Sequence, residues 1–347
     1  MTLPLRYEIR DRLGGTAQGA YLAYDKKTNA RCVIKMQGDE VHDVFPLERE
    51  RRALTTIDSE RVVKVLDAGP EYIVFPFISG KTLYESSDPL PLFEGISIVQ
   101  KIAEGLVDTH AHGFVHRDVK PANVMRTGDD VVLLDYGLCD HPDFPSWMTP
   151  QDDSVFGTPL YMSSEAFAGN ADARSDVYSL GVLAHGLFTG QDPYRGWFRE
   201  QLREMVRRNP SRGIDPAFLD GPDGSAYVDL AMQSMSNTIR TRLHGKATPL
   251  TDIDPSIPVE LSDVVLHALQ TKPEDRLSSA QEFVTTLRAV PRERKAYIAV
   301  NKGALAKAET VQLLPDRDLS QYPTFEEARR LIEEQNKPVI SRPRRAA

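Results

Sequence analysis

Near residue 78 the hydrophobic pattern changes its period, and that change limits the architecture more than any other feature. Ahead of it, RYEIRDRL (6–13), AYLAYD (20–25) and RCVIKM (31–36) alternate apolar with polar residues, the two-residue period of half-buried strands. Glycines at 14, 15 and 19 separate the first two. In the third, Val33 and Lys35 fall on one face, with Cys32, Ile34 and Met36 on the other. VFPLERERRALTTI is spaced for a helix, and VVKVLDAG and EYIVFPFI for two more strands. After Gly80 the apolar residues recur at helical spacing. PLFEGISIVQKIAEGLVDTHAHG stops at Gly113, and further helical patterns cover 175–189, 196–208, 227–243, 259–271 and 278–289. A strand-rich front and a helix-rich remainder predict an α+β fold of two lobes joined at residues 76–80. The expected division is 1–78, then 79–290 with an insertion at 195–250, then an extension at 291–347. In the extension, TFEEARRLIEEQ opens with a capping-box pattern from Thr324 to Glu327.

Charge and cysteine content remove several classes of function. A net charge of -8 argues against a general nucleic-acid binder, whose affinity comes from neutralising phosphates. Cys32 and Cys139 are too few for a disulfide framework and sit in no metal-ligand spacing, which fits a reducing compartment. MTLPLRYEIRDRLGG has no apolar core of a secretory signal. The most apolar run, VYSLGVLAHGLFTG, is short and interrupted by glycines and His185. The expectation is a soluble, cytoplasmic chain with no membrane or nucleic-acid partner.

One short stretch concentrates chemistry. HRDVKPANV places an acid, Asp118, two residues before a cation, Lys120, and five before an amide, Asn123. Pro121 fixes its own dihedral and biases Lys120 toward extended backbone, so this loop is expected to display its groups instead of winding into helix. LLDYGL, GTPLYMSSE and DVYSLG follow at set distances. Taken together and in this order, the four motifs resemble the signature set of eukaryotic-type (Hanks-type) Ser/Thr protein kinases, bacterial members above all, over residues 6–290.

That resemblance implies a bilobal protein-kinase-like fold, with a small mainly-β N-lobe and a larger mainly-α C-lobe. It also implies transfer of the γ-phosphoryl group of ATP to Ser/Thr hydroxyls of a protein substrate, with Mg²⁺. Asp118 would orient the acceptor hydroxyl and take its proton late, Lys120 would offset phosphoryl charge, and Asn123 and Asp135 would hold metal. Lys35 would contact the α- and β-phosphates, paired with a glutamate of the following helix. Glu48 and Glu50 compete for that place, and the leucine spacing after it favours Glu50. Phe75 would be the gatekeeper, with the Pro76 carbonyl and the Ile78 amide contacting adenine. Gly14, Gly15, Thr16 and Gly19 form the glycine loop, which departs from the family pattern because Thr16 stands where the middle glycine belongs.

The same resemblance reads 135–165 as an activation segment. Thr158 would bond the catalytic Asp and Lys, and Glu165 would pair with Arg276 although Ser163 and Ser164 replace the usual Ala-Pro. Asp176 would brace the catalytic loop. Arg117 would pair with a phosphate on Ser146, Thr149 or Ser154, or with the permanent charge of Asp152 or Asp153. In the insertion, the helix WFREQLREMVRR offers Trp197, Phe198, Leu202, Met205 and Val206 on one side, for packing or for docking. An alternative from a different class is a pseudokinase, a nucleotide-binding or scaffold module with an altered glycine loop. Aminoglycoside-type phosphotransferases are a more distant likeness, since they lack the segment.

Overall fold

A computed structural model describes residues 3–13, 19–37, 47–85, 90–145, 148, 156–208 and 216–291 apart from 222–224, 226–227, 230 and 233–234, with a two-residue strand at 311–312. The front of the chain forms one antiparallel sheet in the order β1-β2-β3-β5-β4. Its strands are β1 (Tyr7–Leu13), β2 (Gly19–Asp25), β3 (Ala30–Met36), β4 (Asp67–Gly69) and β5 (Tyr72–Pro76). The alternation in β3 divides the two sides of this sheet. Cys32 and Ile34 pack with Tyr7, Ala23 and Val74 in a small cluster, while Val33 packs against the main core and Lys35 lies on its side of the sheet. Helix α1 (Leu47–Thr56) buries Leu47, Ala53 and Leu54 against that main core. The predicted strand over VVKVLDAG is reduced to three residues, because Val62 is drawn into an isolated bridge with Leu133.

The larger part is mainly helical, and two helices organise it. Helix α2 (Leu92–Ala111) ends where Gly113 adopts φ 81°, in the region glycine favours. A three-stranded sheet joins β6 (Lys81–Thr82), ahead of α2, to β7 (Val124–Thr127) and β8 (Asp130–Leu133) after it. The short helix α3 (Ser164–Phe167) is followed by α4 (Ala173–Thr189), whose residues from Ser175 onward are all buried. Apolar residues on every face suit a central helix. It starts with a reciprocal cap between Asp172 and Ser175 and stops at Gly190 in the left-handed region. Further helices are α5 (Arg195–Arg208), α6 (Met235–His244), α7 (Leu250–Ile253), α8 (Val259–Ala268) and α9 (Ala280–Arg288). Strand β9 (Phe156–Gly157) pairs antiparallel with β10 (Val311–Gln312) of the extension. The predicted helix at TFEEARRLIEEQ lies outside the described residues.

Two details of the region around Pro121 differ from the sequence expectation. Lys120 is extended as Pro121 requires, at φ -156° and ψ 163°, yet Pro121–Asn123 does wind, into a single 3-10 turn. Proline is tolerated there because the first residue of a helical turn has no intrahelical use for its N–H. The β7–β8 hairpin was also unforeseen; Gly128 at φ 61° turns it between Thr127 and Asp130.

A buried ion pair fastens the front of α4. The Arg276 guanidinium, fully enclosed, donates to Glu165 at 2.7 and 3.3 Å, to the Arg174 carbonyl at 2.7 Å and to the Gln270 carbonyl at 3.0 Å. Burial pushes the Glu165 carboxyl up, but the Arg276 hydrogen bond and charge outweigh it and hold the group below its ordinary range. Arg276→Met is expected to cost about 3–5 kcal/mol, since it leaves one partner of a buried pair behind. Urea unfolding measures this. The unfolded glutamate binds its proton at higher pH than the native one, so wild-type stability falls as pH drops below about 4.5. That contribution is absent from the variant.

Candidate active site

The β7–β8 hairpin brings Asn123 and Asp135, separate in sequence, to the same end. Val124 pairs with Leu133, so Asn123 enters the hairpin where Asp135 leaves it. The Leu134 amide donates to the Asn123 carbonyl at 2.9 Å and closes that end. Asn123 then turns its amide nitrogen on Asp118, donating at 2.9 Å to both the backbone carbonyl and Oδ2. Its side-chain oxygen is left as the group a cation can use.

Around Asp118 the polar groups form a closed set. Lys120 Nζ lies 2.8 Å from Asp118 Oδ2 and donates at 2.8 Å to Thr158 Oγ1, which in turn donates at 2.6 Å to Asp118 Oδ1. All three residues are buried. A buried carboxylate and ammonium survive only as a hydrogen-bonded pair, and Thr158 completes that satisfaction from 38 residues beyond Lys120.

The sheet contributes the second set. Lys35 Nζ sits 2.6 Å from Glu50 Oε2 and 2.8 Å from Asp135 Oδ1. Of the two competing glutamates, Glu50 is enclosed and meets the lysine, while Glu48 pairs with Arg51 on its own helix. Burial works to strip the Lys35 proton, but Asp135 and Glu50 outweigh it and hold the ammonium well above its usual range. Burial likewise raises Asp135, and the Lys35 charge and hydrogen bond more than offset it, so this carboxyl stays ionised far below its usual range. The Asp135 side chain is 45% exposed, leaving one side open.

Backbone conformation here is unusual and has identifiable supports. Arg117 and Asp135 adopt φ 67° and 59°, which non-glycine residues seldom do and which costs about 1–3 kcal/mol each. Asp176, at the start of α4, accepts the His116 and Arg117 amides at 2.8 Å each and pairs with His110 Nε2 at 2.8 Å. Burial raises this carboxyl, and the His110 hydrogen bond and charge bring it below the ordinary range. His116 Nε2 donates to the Leu134 carbonyl at 3.1 Å, so Nδ1 is free to accept the Asp118 amide at 3.3 Å. Its ring packs 4.5 Å from Tyr136. The Tyr136 hydroxyl reaches Thr109 Oγ1 at 2.7 Å, and Thr109 donates onward to Gly105, tying the residue after Asp135 to α2.

The other sequence-derived candidates fall as follows. Phe75 is buried near the end of β5 opposite Val33, Pro76 ends the strand opposite Cys32, and Ile78 is partly buried beyond it. Gly19 begins β2, where a Cβ would collide with the Tyr21 ring. Gly14, Gly15 and Thr16 lie outside the described residues, as do Ser146, Thr149, Asp152, Asp153 and Ser154. Arg117 meets Asp140 at 3.2 Å. On α5, Phe198 and Leu202 are buried and Met205 is exposed. Arg195 bonds Asp229, Arg203 bonds Glu200 and Asp220, and Arg207 bonds Glu200.

Sequence reading missed His110, Thr109 and, above all, Arg49. His110 and Thr109 sit on the inner side of a predicted helix, where a buried polar residue carries no periodic mark. Arg49 lies in LERERRAL, which reads as a solvated charge run. Cys139 is enclosed, and burial pushes its thiol far above the ordinary range. Native protein is therefore expected to leave Cys32 and Cys139, both buried, unmodified by Ellman's reagent, with both thiols appearing on denaturation. Rapid labelling of the folded chain would contradict the enclosed geometry.

Residues 7–286 match the family model described as "Protein kinase domain". A probable serine/threonine-protein kinase of Clostridium perfringens is 29% identical over 308 residues, covering 85% of this chain and 39% of its own. The serine/threonine-protein kinase PknB of Mycobacterium leprae is 30% identical over 296 residues, 80% of this chain and 42% of its own. The serine/threonine-protein kinase pkn2 of Myxococcus xanthus is 32% identical over 248 residues, 66% and 29% respectively. In each case the match takes in less than half of the relative's length.

Proposed function

The chain belongs to the protein kinase family, and on that membership we propose that it transfers the γ-phosphoryl group of ATP to serine or threonine hydroxyls of a protein. The observation that carries this reading is the Asp118–Lys120–Thr158 triangle together with the Lys35–Glu50–Asp135 set. As the acceptor oxygen bonds to the γ-phosphorus, the bond from that phosphorus to the β-phosphate oxygen breaks, and ADP leaves with the electron pair. The acceptor proton passes to Asp118. Both Asp118 oxygens are engaged by Lys120 and Thr158, which fixes the carboxylate for orienting the hydroxyl first and taking its proton late. Lys120, two residues away, sets its positive charge beside the moving phosphoryl group. Lys35 holds the non-transferred phosphates, and Glu50 fixes the ammonium.

Among the described residues no three His, Cys, Asp or Glu side chains form a metal cage. Asn123 and Asp135 would hold a hard cation through their oxygens, a donor set that suits Mg²⁺, with water and phosphate oxygens as its further ligands. Bound there, Mg²⁺ would neutralise phosphate charge. Pro76 and Ile78 at the end of β5 are our assignment for the adenine edge, with Phe75 limiting the space behind it. Protein acceptors, the autophosphorylated positions and cytoplasmic location belong to the same proposal. It also includes the division into lobes at residue 78 and an extension from residue 291. No helix of the described residues is long and apolar enough to cross a membrane.

Incubation with labelled ATP and Mg²⁺ tests the proposal. Wild type should label itself or an added protein, and Asp118→Asn should lose about 10³-fold in rate while still binding nucleotide. Equal labelling by both removes Asp118 from its role. Nucleotide binding without any transfer by wild type would turn the reading to a pseudokinase.

A further inference from the structure

Arg49 precedes Glu50 on α1 and its guanidinium is wholly enclosed. Nε donates to the Cys139 carbonyl at 2.9 Å, Nη1 to the Met148 carbonyl at 2.7 Å, and Nη2 to the Cys139 carbonyl. Nη2 also lies 3.5 Å from Asp140 Oδ1, and the group stacks 5.2 Å from the Phe144 ring centre. Arg117 approaches the same carboxylate from the catalytic loop, with Nη1 3.2 Å from Oδ2. Each Asp140 oxygen thus faces one guanidinium. The carboxylate is fixed from behind, because the Asp140 amide donates to the Val115 carbonyl at 2.8 Å and its carbonyl accepts from Val115 at 2.9 Å.

This cluster joins three pieces that the site needs together. Arg49 is on the helix that carries Glu50, Arg117 adjoins Asp118, and Asp140 is five residues beyond Asp135. Movement of α1 away from Lys35 would pull a buried cation off two carbonyls and away from its anion, at a cost of several kcal/mol. A segment that waited for a phosphate would leave both guanidiniums without an anion until it came. Here a carboxylate of the chain already stands between them, and a phosphate dianion arriving at the same place would meet a like charge.

We propose that Asp140, with Arg49 and Arg117 as positioning residues, holds the catalytic arrangement by itself, so that transfer does not wait for phosphorylation of the segment after Asp135. This rests on the kinase reading above. The test uses the full chain, treated with phosphatase until intact mass shows no phosphate, and compares its initial rate on a degenerate serine/threonine peptide mixture with that of untreated protein. Equal rates without a lag are expected. A loss of about tenfold or more, or a lag that shortens with enzyme concentration, overturns the proposal. Asp140→Asn, which removes the anion and keeps the side-chain shape, is expected to lower kcat roughly 10²-fold in protein that circular dichroism shows folded at the assay temperature, with Asp140→Glu restoring most of it. Wild-type kcat in Asp140→Asn also overturns it. Failure of the kinase reading is distinguishable, because untreated wild type would then transfer nothing at all.

Discussion

One ammonium, Lys35, is held between two carboxylates that belong to different parts of the chain. Glu50 comes from α1, packed on the sheet, and Asp135 from the end of a hairpin in the larger part. A charge enclosed in this way is tolerable only while its partners stay within contact, so the sheet, the helix and the segment after β8 are mutually located by it. The pairing also leaves one unit of negative charge in excess. A ligand that brings cationic metal to Asp135 and phosphate to Lys35 would meet complementary charge at both places.

Much of this arrangement was legible because its groups lie in short contiguous runs. Asp118, Lys120 and Asn123 share one loop, and the extended shape of Lys120 follows from the proline after it. The alternation of β3 placed Lys35 with Val33 on one side of the sheet. The choice of Glu50 over Glu48 followed from leucine spacing on one helical face. Less could be read where a residue's environment is set by distant chain. Arg49 is chemically the same as its neighbours Arg51, half-buried, and Arg52, exposed, and the carbonyls of Cys139 and Met148 make it internal. The hairpin at Gly128 escaped because its strands are four residues each and one contains Arg126. The 3-10 turn at Pro121 shows that proline excludes helix from the residues before it and permits it after.

Surface charge on α5 is used locally. Arg195, Arg203 and Arg207 meet Asp220, Asp229 or carboxylates of their own helix. Such exposed pairs add little stability, about 0–1 kcal/mol each, but they neutralise the face. Phe198 and Leu202 meanwhile anchor the helix to the main core.

Asp176 ties the shape of the loop before Asp118 to a helix that is buried from Ser175 onward. The amides of His116 and Arg117 end on its carboxylate, and α4 is surrounded by apolar side chains. Those two hydrogens can trade with deuterium only when the carboxylate lets go, and it is fixed to a helix whose release requires the core itself to open. A stretch of irregular backbone would then show the slow solvent exchange of a protein interior.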